Sequence, residues 1–309
     1  MAQNTPDPGA PGVVWIDMLA PTLEEEALVE KALGIDVPTR EEVQGIELSN
    51  RLYKEDDALF MTANLIVGSE SDEPQSVPVT FILVGNRLVT VRYEKPRAFD
   101  MFQGRAVRAL DDCKSGRAVL ADLLETIVGR LSDPLEAIAL QLDALSREVF
   151  QAESDKKPDY AALMKTIGRH GDLNSKAKEA LVGLDRLLSF MFYHIDSVGK
   201  PGRHLASQLK SIEQDIHALT DYAGFLSNKI NFLLEAALGM ITIEQNTIIK
   251  FFSVAAVIFL PPTLIASIYG MNFTHMPELE WVYAYPATIA AMLLSAIVPY
   301  LYFKHRRWL

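Results

Sequence analysis

The sequence predicts an α+β head followed by a long helical stalk and two C-terminal transmembrane helices. Three observations predict it. Phe251 to Pro277 and Trp281 to Phe303 contain no Asp, Glu, Lys or Arg, and each run exceeds the roughly 20 residues that cross a hydrocarbon core about 30 Å thick. From Gly116 onward the strand-like patterning vanishes and apolar residues recur at helical spacing. After Leu205 no proline occurs until Pro261, so a single helix can run through. If continuous from 205 to 268, it would extend about 96 Å at 1.5 Å per residue and enter the membrane as the extension of a stalk.

In chain order, residues 1–11 read as a Pro/Gly-rich flexible tail. Residues 12–115 read as a cytoplasmic α/β domain. Its strands are "GVVWIDM", "ALFMTANLIV" and the paired runs of "VPVTFILVGNRLVTVRYE", rich in β-branched and aromatic residues. Gly85-Asn86 marks the hairpin turn, since both residues tolerate positive φ. Helices are expected at 22–34 and 39–48, each with acids in its first turn. Residues 116–200 form a helical body, 201–247 the stalk helix and 248–269 the first span. Residues 270–281 are an outer loop, 282–303 the second span and 304–309 a basic tail.

Charge sets the topology. The connector from Met271 to Trp281 carries Glu278 and Glu280 and no Lys or Arg, whereas Lys250, Lys304, Arg306 and Arg307 flank the spans. Positive residues favour the cytoplasmic side, so both termini are expected inside. "MAQNTPDPGAPG" has no apolar signal core, and nothing in it would translocate the body. The net charge of −11 is concentrated in residues 1–100, with 18 acids against 8 bases. That balance argues against a nucleic-acid partner and allows an affinity for cations. Cys113 stands alone, which excludes a disulfide framework and a thiolate metal site. No GxxxxGK[ST], GxGxxG, HExxH or CxxC occurs, and no enzyme is expected.

Steps of alternately three and four from Asn246 give Ile249, Ser253, Ala256, Leu260, Thr263, Ser267 and Gly270. Six of the eight positions are small or polar, while Phe251, Phe259 and Leu264 lie elsewhere. Such a stripe serves either close helix packing or the wall of a water-filled path, and both readings stand at this point. Two spans cannot enclose a path alone, so a conduit needs several copies about an axis. Pro261-Pro262 are expected to bend or loosen the helix and free carbonyl oxygens. At the outer end of the stripe comes "YGMNF". Gly270 permits close approach, and Asn272 offers a neutral oxygen. A neutral oxygen suits hydrated Mg²⁺, which sheds water reluctantly and which a ring of carboxylates would hold too tightly.

"FLPPTLIASIYGMNFTHMPELEWVYAYP…PYLYFKHRRWL" resembles the C-terminal signature of the CorA magnesium channels, with GMN, the MPEL loop and a basic tail. "NFLLEAALGMITIEQNTIIKFFSV" and the head-then-stalk order are similar too. The resemblance implies a funnel-shaped homopentamer in the bacterial inner membrane. It implies passive Mg²⁺ influx driven by the membrane potential, with Co²⁺ and Ni²⁺ also accepted. Gly270, Met271 and Asn272 become the filter, and Thr263, Leu260, Phe252, Ile249 and Asn246 line the pore. The stripe places Ser253 where the family pattern places Phe252, a difference of one residue of helix rotation. Lys304, Arg306 and Arg307 match the family's basic ring, and positive-inside anchoring accounts for them equally.

The chain departs from the family pattern in two places. Thr274 stands where many members carry an acid, which leaves Glu278 and Glu280 as the charges at the mouth. Ser211 stands where a regulatory aspartate is expected. The candidate ligands for a regulatory Mg²⁺ are then Glu213, Asp215, Glu55, Asp56 and Asp57. A zinc transporter of the same architecture is the alternative, with His275 the residue to test, and a membrane-anchored sensor is a third reading.

Overall fold

Long apolar runs make strands that are covered on both faces, and the head is built on five of them. The structure, a computed structural model, describes residues 7–45, 50–71, 73–106, 115–150, 158–198, 202–272 and 276–306. Cys113, Thr274, His275 and Arg307, together with residues 46–48 of the expected second helix, lie outside that set. The chain divides into two units, Met1–Leu234 and Glu235–Leu309.

In the first unit the strands are β1 (Trp15–Leu19), β2 (Leu52–Glu55), β3 (Ala58–Val67), β4 (Gln75–Val84) and β5 (Arg87–Arg92). Their order is β1-β5-β4-β3-β2, with β1 parallel to β5 and the other pairings antiparallel. Helix α1 (Leu23–Leu33) starts at a capping box in which Thr22 and Glu25 satisfy each other's backbone amides, and it ends at Gly34 with φ +66°. A short α2 (Arg40–Gly45) follows. On one sheet face Met18, Val29, Val37, Phe60, Ile82 and Val91 form a buried cluster. On the other, α3 (Arg97–Ala106), α4 (Gly116–Phe150) and α5 (Tyr160–Val198) cover the alternate residues. α5 packs on β3, α4 packs on β5, and Phe81 lies 6.5 Å from Phe99 of α3. Strand β2 and helix α3 are additions to the elements read from sequence. β2 is a four-residue edge strand carrying Lys54 and Glu55, too short and polar to show an alternating pattern.

The β4–β5 turn is Gly85-Asn86, and Gly85 takes φ +55° as expected. The start of α4 presses against this hairpin. A Cβ built on Gly116 would stand 2.4 Å from the carbonyl carbon of Arg87 and 2.5 Å from the nitrogen of Leu88. Those are backbone atoms that no side-chain rotation can move aside. Gly116→Ala is therefore expected to destabilise the head by about 2–3 kcal/mol through overpacking, read as a lower unfolding midpoint. An unchanged midpoint would show that the hairpin yields.

Helix α6 (Arg203–Tyr269) has 67 residues. Its first half joins α4 and α5 in the helical body through Asn174, whose Nδ2 donates to the carbonyl of Ala223 at 3.0 Å, and through Lys229, 2.5 Å from Asp143. Half-buried His170 on α5 is held below the ordinary imidazole range by burial, then by Arg169. A depressed folded-state value means the stability is present above the unfolded imidazole value, about 6.5, and is lost as pH falls through the folded one. His170→Gln should therefore shrink the fall in unfolding temperature between pH 7.5 and 5.5. Equal falls in both proteins would remove His170 from the acid response.

Candidate ion-conduction site

In the second unit the remainder of α6 is followed by Gly270, Met271 and Asn272, a 3-10 turn at Pro277–Glu280 and α7 (Ala284–His305). Both helices are long and apolar enough to cross a membrane, and 6% and 0% of their most apolar windows are buried. A core helix of a water-soluble protein would be mostly covered. Phe251, Phe259, Leu264, Leu293 and Val298 are instead exposed, a surface that lipid tolerates and water does not. Trp281, Tyr283 and Tyr285 stand at one end of α7, with Tyr300 and Tyr302 at the other, as interfacial anchors do.

Each of the two helices is covered along one stripe. On α6 the less exposed positions are Val254, Ala255, Ile258, Pro261, Pro262 and Ile265; on α7 they are Ala284, Thr288, Met292, Ser295, Ala296, Pro299 and Phe303. Both sets recur at three- and four-residue intervals, the pattern left by two helices lying side by side. The polar stripe of α6 is elsewhere. Asn246, Ile249, Ser253, Ala256, Leu260, Thr263, Ser267 and Gly270 are all exposed. At about 100° per residue their midline falls about half a turn from the covered face. Packing within the chain thus does not use the small residues. By the same angles the midline passes between Phe252 and Ser253, and both are exposed.

Local chemistry refines that face. Ser253 Oγ donates to the carbonyl of Ile249 at 2.8 Å, and Thr263 Oγ1 to that of Phe259 at 2.7 Å. Their protons are spent on the helix, so each oxygen presents lone pairs outward. Helix α6 runs through Pro261-Pro262 without a break. The carbonyls that lose a partner there belong to Val257 and Ile258, one turn earlier. Pro261 and Pro262 lie on the covered face, away from the polar stripe.

At its outer end α6 closes with the Gly270 amide donating to the Ala266 carbonyl at 2.9 Å and Met271 to Ile268 at 3.3 Å. Gly270 does not use positive φ. A Cβ there would sit 3.1 Å from the Ala266 oxygen, a tight contact that a larger residue would relieve only by a shift of a few tenths of an ångström. Met271 and Asn272 are exposed, as are Glu278 and Glu280 on the 3-10 turn, which begins at Pro277. Lys304 is exposed at the far end of α7, and Arg306 lies over the ring of Tyr302 at 5.9 Å.

The regulatory candidates are not gathered. Asp56 and Asp57 form the β2–β3 turn, with Asp56 at φ +48°, and Glu213 and Asp215 lie on α6. Among the described residues no group of three or more His, Cys, Asp or Glu could hold a metal. Asp56 and Asp57 thus have a turn role that explains them without an ion. Sequence reasoning missed the covered face of α6. Its signal was the recurrence of Val254, Ile258, Pro261 and Ile265, which only the position of α7 makes meaningful.

The CorA-like Mg²⁺ transporter family model matches residues 11–305. The chain belongs to that family. The CorA magnesium transport protein of Escherichia coli K12 is 38% identical over 296 residues, 96% of this chain and 92% of that protein. The CorA of Yersinia pseudotuberculosis is 36% identical over the same shares. In fold, the chain is similar to the complete CorA structure from Methanocaldococcus jannaschii, with a TM-score of 0.77 and 18% identity over 96% of this chain and 91% of that one. The α/β head, long helices and two C-terminal candidate spans are therefore a CorA fold. CorA proteins are transporters, and the chain is placed among them rather than among enzymes.

Proposed function

We propose that this CorA-family chain is a homopentameric channel for Mg²⁺ influx. The observation that carries the reading is the exposed polar stripe of α6, opposite the covered face and ending at Gly270-Met271-Asn272. A face bearing Asn246, Ser253, Thr263 and Ser267 has no favourable partner in lipid. Several copies arranged about an axis turn it inward to water and leave α7 on the lipid side. The potential then suffices as driving force. A divalent ion crossing about 100 mV gains about 4.6 kcal/mol, equivalent to a concentration ratio of over a thousand.

In this reading Asn272 binds the ion's water shell through its carbonyl oxygen, with Gly270 and Met271 shaping the mouth. Glu278 and Glu280 raise the local cation concentration within about a Debye length, 8 Å at physiological salt. Ser253 and Thr263 offer acceptor oxygens to the hydrated ion. Ile249, Phe252 and Leu260 form an apolar constriction that closes by dewetting, and Asn246 is the inner polar ring. Ala256 and Ser267 keep the wall narrow-sided and wet. Lys304, Arg306 and Arg307 lie on the cytoplasmic side of the bacterial inner membrane with both termini. The same water-shell contact admits Co²⁺ and Ni²⁺, since it reads hydration more than ligand softness.

Purified protein in liposomes containing a magnesium dye, under an inside-negative potential, tests this directly. Saturable Mg²⁺ influx is expected. Zn²⁺ transport without Mg²⁺ transport would replace the reading by a zinc transporter, and transport of neither ion by an assembled oligomer would leave a closed or regulated channel, or a sensor on the same scaffold. Asp215 belongs to no described group of three or more His, Cys, Asp or Glu that could hold a metal. Asp215→Ala alone is accordingly expected to shift the dependence of the current on internal Mg²⁺ less than about three-fold. A channel locked open by that change would make Asp215 a principal ligand.

A further inference from the structure

A cavity of about 590 Å³ opens in the unit Met1–Leu234, where β2 and β3 meet α5 and α6. We propose that it binds a small organic oxyanion, a phosphate or carboxylate compound that also carries a hydroxyl or amino donor. Its volume is within the range of small-molecule sites. Four buried side-chain atoms lack a hydrogen-bond partner among the described residues, and two of them, Arg51 Nε and Asn64 Oδ1, belong to residues of this cavity. Asn174 is 1% exposed and is bonded to Ser227, which lines it too.

The two amides are oriented by what they already hold. Asn64 Nδ2 donates to Glu179 Oε1 at 2.8 Å. The Asn174 amide nitrogen donates to the Ala223 carbonyl at 3.0 Å and to Ser227 Oγ at 2.8 Å. The Asn64 oxygen is thus the end left to accept a proton donor at the cavity, while Arg51 Nε remains to donate. Among the described lining residues three are cationic (Arg51, Lys178 and Arg186) and one is a carboxylate, Glu179, which already accepts from Asn64. Arginine forks and a lysine ammonium suit an oxyanion, and the Asn64 amide oxygen suits a hydroxyl or amino group on the same molecule. Buried donors and acceptors left unmade are costly, and a ligand with both polarities completes them together.

Calorimetric titration of the full-length protein in detergent, at fixed free Mg²⁺, tests the site with four probes: AMP, glycerol 3-phosphate, inorganic phosphate and malate. Saturable binding near one molecule per chain is expected for the hydroxyl-bearing phosphates or for malate, and the two arms distinguish the anion's source. Inorganic phosphate, which is too small to reach Asn64 and the cations together, should bind more weakly. Lys178→Ala and Arg51→Gln should each weaken the tightest probe by about ten-fold or more, the scale of one charge-assisted hydrogen bond. Lys178 is exposed, so its variant folds and decides the case even where Arg51→Gln does not. No saturable binding of any probe at millimolar concentration would overturn the proposal and leave a water-filled groove. Binding that Lys178→Ala leaves unchanged would overturn it equally.

Discussion

Replacing Asn272 with alanine is expected to abolish Mg²⁺ influx while the oligomer still assembles. Asn272 follows the last turn of α6, is exposed, and its amide makes no hydrogen bond to another described residue. Truncating it therefore removes no contact on which the described fold rests. On the proposed reading it removes the neutral oxygen that would face the ion's water shell. A net hydrogen bond contributes about 1 kcal/mol; in the proposed pentamer five would be lost at once, about 5 kcal/mol, or over a thousand-fold in occupancy of the mouth. Asn272→Asp separates this account from simple steric change. A carboxylate holds the ion longer, so apparent affinity should rise while maximal flux falls. The readouts are dye-reported influx and the oligomer's elution position. Normal flux through the alanine variant would sink the filter assignment, whereas loss of flux with a dissociated oligomer would show a structural role.

Asp17→Ala is expected to be the most destabilising single change in the head, at about 3–5 kcal/mol. Asp17 accepts from Arg92 Nε at 3.0 Å, Arg92 Nη2 at 2.7 Å, Thr90 Oγ1 at 2.8 Å and Gln103 Nε2 at 3.0 Å. The Arg92 side chain is 4% exposed and lies over the Phe99 ring at 4.6 Å. The network joins β1 to β5 and to α3, the helix that follows the sheet. Removing the carboxylate strands a buried guanidinium, which costs far more than the pair contributes relative to apolar residues. For a unit of this size the loss corresponds to a fall in unfolding temperature on the order of 10 °C. Asp17→Ala combined with Arg92→Met should recover much of it, because no charge is then left buried. A double variant as unstable as the single one would mean that packing, and not the stranded charge, sets the cost.

Much of this molecule is legible along the chain because its signals are local. Strand β3 occupies Ala58–Val67, the same ten residues that "ALFMTANLIV" marks by β-branched and aromatic content. The helix that carries the first candidate span ends at Tyr269, where Gly270 opens the GMN stretch. Thr22 and Glu25 announce α1 by their spacing, and the structure closes both hydrogen bonds of that box. The period of the α6 stripe is equally a one-dimensional fact. Helix α3 was not legible: "RAFDMFQGRA" carries Gly104 and three charges, and only Phe99 and Phe102, buried against the sheet, show why it forms.

By itself the sequence determined the two uncharged spans, the neutral asparagine at the end of the first, and the polar period of the helix leading to it. Each depends on residues within a few turns of one another, where helix and strand geometry alone decide which side chains share a face. Tertiary structure decided which face of α6 is covered, because that depends on where α7 lies and not on the period of α6. It also decided that β1 inserts parallel to β5 and places Asp17 on Arg92, and that Arg51, Asn64 and Lys178 meet at one cavity. Those residues are brought together by sheet order and helix packing across long stretches of chain, and no local pattern encodes which distant side chain arrives.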